Sequence, residues 1–351
     1  MLKFTGKNVG QFAQIEKGDI SDINGVKGSK IFLKRISTLM PCSDGSKHIL
    51  SVPVMTGNGI RGSLRREMTA LVLESLVEKG LSCGKKLINA HDFNLMNAGG
   101  GNDYQAQPLA VENKVRELNP VISIFGTSLA VSGKISTPNA LPYIFNADGE
   151  ASLMFNENKD VTTKEIKYIY SPLISTETFV KGDDILQGKE NSNNFLSEDE
   201  VIEWRESVSD SQKARSDERA SVSKDKKTSK VGLQAYLGRE YVISGTSFHS
   251  YLEATDKMTD LEIGMFILTL ERFVTKKFGS TKSRGFGAFE YSFLFDDGSK
   301  MSTKIDMSTS KTSDIYRDYS KEIESQIKLA KKWLVDISCE NVKMTDILKK
   351  K

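Results

Sequence analysis

Apolar residues recur along this chain with two different periods, and the changes between them divide it into elements. The segment KFTGKNVGQF and the stretch SKIFLKRISTLM, where Ile31, Leu33 and Arg35 alternate with Phe32, Lys34 and Ile36, predict strands. SVPVM, residues 51–55, reads as another short strand. After Gly59 the period lengthens. Ile60, Leu64, Met68, Leu71 and Ser75 form one stripe, widened by Val72, Leu73, Leu76 and Val77, and predict a long helix closed by Gly80 at its C′ position.

Residues 80–120 are mixed and polar, and the three consecutive glycines of LMNAGGGNDYQ predict a loop. NPVISIFGTSLAVSGKISTPNALPYIF reads as strand segments broken at Gly126 and Gly133. From about Lys181 to Lys230 large apolar residues become scarce and Ser, Asp, Glu, Lys and Arg take over, a composition that buries too little apolar area to fold tightly alone. Alternation returns in GLQAYLGREYVISGTSFHSYLEAT. Thr259 and Glu262 then form a capping-box signature ahead of the amphipathic LEIGMFILTLERFVTKKF. STKSRGFGAFEYSFLF reads as a basic glycine loop feeding a strand, and Ile315, Tyr319, Ile323, Ile327 and Leu334 predict a last helix. Strands and helices mix on both sides of one polar insertion, which favours a single α+β domain with excursions.

Charge alters this picture only through its placement. The 351 residues carry a formal net charge of +3, so affinity for a polyanion must come from where the cations lie and not from their excess. The N-terminal residues contain no continuous apolar core, and no stretch approaches the roughly 18 apolar residues of a membrane span, so the expectation is a soluble cytoplasmic protein without membrane contact. Cys42, Cys83 and Cys339 are widely spaced, and His48, His91 and His249 have no second ligand at metal spacing. Reduced thiols and no metal or other cofactor are expected.

Two stretches carry chemistry. VPVMTGNGIRGSLRR runs from a strand through Gly57, Asn58 and Gly59 into a helix whose first turns hold Arg61, Arg65 and Arg66. A helix start already carries unpaired N–H groups and the positive end of the macrodipole, so arginine there is locally the wrong charge. Glycines that admit a ligand to the backbone, with arginines able to fork onto oxygens, suit a phosphate. The bland alternative is a solvated helix after a turn. No G-x-x-x-x-G-K-[ST] pattern is present, since Gly126 and Gly133-Lys134 are wrongly spaced and followed by Ile135. The second stretch, Lys282-Ser283-Arg284-Gly285-Phe286-Gly287-Ala288-Phe289, matches the start of the RRM signature. Phe286 or Phe289 is a candidate to stack on a base while Lys282 and Arg284 hold phosphates. Asp44 and Asp92 are the acidic candidates, by their place in predicted loops near basic segments.

The succession VPVMTGNGIRGSLRR, NPVISIFGTSLAVSGKI with NALP, and FGSTKSRGFGAFEY resembles the RAMP superfamily of CRISPR-associated proteins. More narrowly it is similar to the backbone subunit of class 1 effector complexes, and LMNAGGG with the motif order is nearest the type IV branch. The resemblance covers residues about 50–145 and 233–295. It implies an RRM-like (ferredoxin-like) palm from residues 1–170 and 233–351, with a finger insertion about 80–120, and a thumb or arm at 171–232, flexible in the free protein. It further implies a non-catalytic protein that polymerises into a helical filament along guide RNA (crRNA) and presents the guide to a complementary target nucleic acid. Implied partners are copies of itself, a large subunit, a second RAMP backbone or cap subunit, a guide-processing nuclease and an accessory helicase. Carried onto this chain, the RNA contacts are Gly57, Asn58, Gly59, Arg61, Arg65, Arg66, Lys282, Arg284, Gly285, Phe286 and Gly287. Some relatives cleave target RNA through a loop aspartate, which makes Asp44 the residue of the alternative, a metal-dependent RNase.

Overall fold

Phe289, Tyr291 and Phe293 alternate along one strand and are each about 2% exposed or less, so one face of that strand is wholly interior. Burying each phenylalanine ring contributes about 1.5–3 kcal/mol, and Phe289 and Phe293 both stack on Tyr291 along the strand. The computed structural model describes residues 2–8, 13–23, 26–41, 47–80, 88–100, 105–128, 130–142, 144–145, 151–152, 174–181, 199, 203, 206, 235–280, 282 and 285–348.

In chain order the elements begin with β1 (Leu2–Asn8), β2 (Ile15–Ile23), β3 (Val26–Leu33), β4 (Arg35–Pro41) and β5 (Lys47–Pro53). Four helices follow, α1 (Gly57–Glu78), α2 (Ala90–Ala98), α3 (Leu109–Leu118) and α4 (Pro120–Phe125). Then come β6 (Ile135–Ser136), β7 (Leu141–Pro142), β8 (Ile144–Phe145), β9 (Ala151–Ser152), β10 (Ile174–Lys181), β11 (Ala235–Val242) and β12 (Ser247–Ala254). The chain goes on through α5 (Asp260–Phe273), β13 (Phe289–Leu294), β14 (Lys300–Asp306), β15 (Lys311–Asp318) and α6 (Lys321–Asp336).

Contacts divide the molecule into two units. The larger comprises residues 1–14, 34–175 and 241–351, and the smaller 15–33 and 176–240. In the larger, the strand order β15-β14-β13-β1-β12-β6, with β7 also on β12, forms one sheet. β1 is central and antiparallel to both neighbours, with Phe4 opposite Ser250 on β12 and Phe293 on β13. Taken with α1 between β1 and β6 and α5 between β12 and β13, this is a βαββαβ order of 4-1-3-2, the ferredoxin-like arrangement of RRM domains. β14 and β15 extend the sheet beyond it.

The α+β, RRM-like expectation therefore holds for the larger unit. α1 and α5 pack together on the aromatic side of the sheet, where the Phe273 ring lies 5.4 Å from that of Tyr291. Arg272 fastens the two helices through Glu67 at 2.8 Å and Glu74 at 2.5 and 2.6 Å. In the smaller unit the strands run β10-β11-β3-β2. Its Glu240 accepts from the Leu33 N–H at 3.2 Å and lies 3.5 Å from the Lys30 ammonium. None of the helices among the described residues is long and apolar enough to cross a membrane.

Local expectations fare unevenly. The capping box at Thr259 and Glu262 is present in both directions, and Gly80 closes α1 with φ +69°. Three readings are corrected. LMNAGGG is not loop throughout, because α2 runs to Ala98, starts on an Asn89 side-chain cap and stops at left-handed Gly99. Residues 120–125 form a helix and not a strand, with Asn119 capping the Ile122 N–H and Pro120 at the first position. Ile315 lies on a strand and Tyr319 before α6, since residues 311–318 pair with β14. Their stripe continues the spacing of α6 by coincidence.

Candidate nucleic-acid interface

The glycine loop is built from distant parts of the chain. Thr56 caps α1, its hydroxyl accepting from the Gly59 N–H at 3.1 Å, and the Gly57 N–H donates to the Asn139 side chain at 2.8 Å. The Thr56 N–H donates to Gln14 Oε1 at 2.8 Å. These partners are protein groups, so much of the hydrogen-bonding capacity expected to await an anion is already used. Gly57 is required by packing. A Cβ there would lie 1.8 Å from the Thr137 carbonyl oxygen, and Asn139, in the NALP motif, belongs to the same passing segment.

The arginines divide by their positions on the helix. Arg61 and Arg65 share a face, as their spacing requires, and both donate to one oxygen, the Phe125 carbonyl, at 2.7 and 2.6 Å. That carbonyl ends α4, whose six residues are all buried. The other three carbonyls of its last turn are also satisfied: Ile122 by the Gly126 N–H, Ser123 by Arg116 and Ile124 by the Lys134 N–H. Arg61 and Arg65 thus carry the wrong charge for their own helix start and the right one for the carbonyl end of a neighbour. Arg65 is 6% exposed, with its guanidinium 5.8 Å from the centre of the Phe125 ring. Burial, and then the Arg61 charge, pull its pKa down to about 10, so it remains a cation near neutral pH. Its assignment as an RNA contact is corrected here, because a guanidinium enclosed in this way is turned inward.

Arg66 is exposed and donates to the Ser63 hydroxyl on its own helix at 3.1 Å. Across from it lies the second basic loop. Phe278 and Gly287 close that loop at its base through a 2.8 Å backbone hydrogen bond, and Gly287, at φ +83°, leaves room for the Phe278 carbonyl 1.9 Å from where a Cβ would stand. Ser280 anchors it to the Ala13 carbonyl through both its N–H and its hydroxyl, each at 2.8 Å. Lys282 is exposed on the loop, and its pKa falls below the ordinary lysine value through burial first and then through the charge of Arg66, with Glu67 opposing. Glu67 is itself held by Arg272. Arg66 and Lys282 are therefore electrostatic neighbours, with Asn58 exposed at the start of the same helix.

The remaining candidates separate clearly. Gly285 adopts φ +90° with nothing within 4 Å of a notional Cβ, and its N–H donates to the Lys282 carbonyl at 3.1 Å, so it shapes the turn that carries Lys282. Phe286 is 4% exposed and meets Tyr241 edge-on at 5.9 Å, and Phe289 is 1% exposed inside the sheet. Neither offers a free face to a base, which corrects the stacking expectation. Arg284 and Asp44 lie outside the described residues. Asp92 is wholly buried and accepts from the Thr345 N–H at 2.7 Å and hydroxyl at 3.1 Å, a clamp on the C-terminal segment and not a chemical group of a site. Among the described residues no three His, Cys, Asp or Glu side chains gather as a metal site.

Sequence reading found both loops but not the residues that join them. Gln14, Asn139 and Ser280 act across 42, 82 and 267 positions respectively, and no local pattern marks such partners. What the arrangement can do chemically is hold an extended anion along two cations.

No protein-family model matches the chain, and no curated protein matches it. Among solved structures it is similar to a chain described as "Type IV-B CRISPR Complex", with 15% sequence identity and a TM-score of 0.46, over 84% of this chain and 90% of that one.

Proposed function

We propose that this chain is a guide-RNA-lining backbone subunit of a class 1 CRISPR effector complex of the type IV branch. It grips the phosphodiester backbone without reading sequence, repeats as a helical filament along the guide and leaves bond cleavage to other components. The observation that carries this reading is the meeting of two sequence-remote basic loops, which makes exposed Arg66 and Lys282 electrostatic neighbours while Glu67, the acid that acts on Lys282, is engaged by Arg272. Like charges held near one another favour a polyanion. The ferredoxin-like strand order supports the palm on which such subunits are built.

In this role Asn58, Arg66 and Lys282 touch RNA, with Arg284 on the same loop and Gly285 setting its turn. Gly57, Gly59, Arg61, Arg65, Phe286 and Gly287 hold that surface in place from inside. The partners are the guide, its complementary target, further copies of this chain and the other effector subunits. The test is the double substitution Arg66→Ala/Lys282→Ala, measured by binding of labelled single-stranded RNA across a salt series. Loss of two phosphate contacts should make the slope of log K against log salt shallower by about 1.4. An unchanged slope and affinity would remove this surface from RNA binding.

A further inference from the structure

The two loops that carry Arg66 and Lys282 do not bond to each other directly in the contacts described above. Both are fastened to one two-residue segment, Ala13–Gln14. On one side, Gln14 Oε1 accepts from the Thr56 N–H at 2.8 Å and Gln14 Nε2 donates to the Thr56 hydroxyl at 2.5 Å. That hydroxyl is the cap of α1, so a side chain 42 positions away holds the helix start on which Arg66 depends. On the other side, the carbonyl of fully buried Ala13 accepts twice from Ser280, two residues before Lys282. The segment itself is fixed, because the Gln14 carbonyl accepts from the Lys34 N–H at 2.7 Å. Gly59 fits the same arrangement, since a Cβ there would stand 2.5 Å from Gln14 Nε2.

From this we infer that Gln14 is a positioning residue for RNA binding: it is uncharged, and it sets the separation of Arg66 and Lys282 so that both meet phosphates of one strand. The inference rests on the proposed reading of those two cations as RNA contacts. Preorganisation is its physical content. Two flexible cations that must be brought into register on binding lose side-chain and loop freedom at that moment, whereas a pre-set pair does not. Without the Gln14 amide, α1 keeps its Thr56 cap but loses its direct side-chain tie to the segment that also holds the second loop, leaving only the backbone path from Val54 through Lys34 to the Gln14 carbonyl.

The experiment measures log K against log salt for a labelled single-stranded RNA oligonucleotide of mixed sequence, using the full chain. Arg66→Ala and Lys282→Ala should each make the slope shallower by about 0.7, one phosphate of a single strand. Gln14→Ala removes no charge, yet should make it shallower by a comparable amount and weaken binding about tenfold at low salt. Thr56→Ser, which keeps the hydroxyl, should match the wild type. A merely structural role for Gln14 lowers the folded fraction and multiplies the dissociation constant equally at every salt concentration, leaving the slope alone.

A wild-type slope for Gln14→Ala beside shallower slopes for Arg66→Ala and Lys282→Ala therefore overturns the inference and leaves the proposed surface standing. Wild-type slopes for all three overturn both. Should Gln14→Ala fail to fold, Ser280→Ala loosens the opposite tie while retaining the Ser280 N–H bond to Ala13. It is expected to flatten the slope in the same direction, and a wild-type slope there counts against the inference.

Discussion

Arg65 shows how one residue's local setting can point the wrong way about its role. Judged against α1, it is a cation at the positive end of a helix; judged against Phe125, it is a donor to a carbonyl that has no partner in its own helix. The charge-assisted bond and the packing of the guanidinium on the Phe125 ring make Arg65 part of the interior. Arg65→Ala should accordingly lower stability by about 2 kcal/mol, read from a denaturant titration, while the salt slope of RNA binding stays at its wild-type value. A flattened slope with unchanged stability would return Arg65 to the surface. The anomaly was legible in the sequence and its resolution was not, because the carbonyl that answers it is 60 residues away. Arg66, one residue on, is set apart already by helical spacing, which turns it to another face, and it lies exposed.

At the scale of elements, the packing of α4 and α5 turns on one carboxylate. Glu262 completes the capping box of α5 by accepting from the Thr259 N–H at 2.7 Å, receives the Lys134 ammonium at 2.9 and 3.0 Å, and accepts from the Ser123 hydroxyl on α4. Both members of the ion pair are buried. Removing one partner strands the other, so Lys134→Met should cost about 3–5 kcal/mol by chemical denaturation, far more than loss of an exposed pair. Burial pushes the Glu262 pKa up, but the bonds from Ser123, Thr259 and Lys134 outweigh it and hold the group below its ordinary value of 4.5.

A carboxylate depressed on folding contributes stability that is present above its unfolded pKa and is lost as pH falls through the lower folded value. Melting temperature should therefore drop as the solution is acidified below about pH 4.5, and Glu262→Gln should melt lower at neutral pH with a flatter acid limb. The capping box was readable because Thr259 and Glu262 are three residues apart. The helix at Pro120 was misread because six apolar residues suit either element, and the strand at Lys311 because its polar side chains gave no alternation to follow. In that strand, pairing with β14 decides the conformation.

For the whole molecule, the mixed class was evident from the two hydrophobic periods, but the strand order was not. β1 finds its neighbours at residues 247–252 and 289–294, and nothing in its seven residues names them. The grouping of 15–33 with 176–240 is non-local in the same way. A central strand with partners on both sides, beneath two packed helices, should be the last part to open. Hydrogen exchange followed by mass spectrometry should find the slowest amides of the larger unit in β1, β12, β13 and the buried faces of α1 and α5; faster exchange there than in β15 would contradict this order. The bond between the Lys34 N–H and the Gln14 carbonyl has a further consequence. The chain leaves the larger unit at Gln14 and re-enters it at Lys34, so the 15–33 segment begins and ends at neighbouring residues. Because one backbone hydrogen bond closes this loop, shortening the segment would not stretch the chain on either side of it.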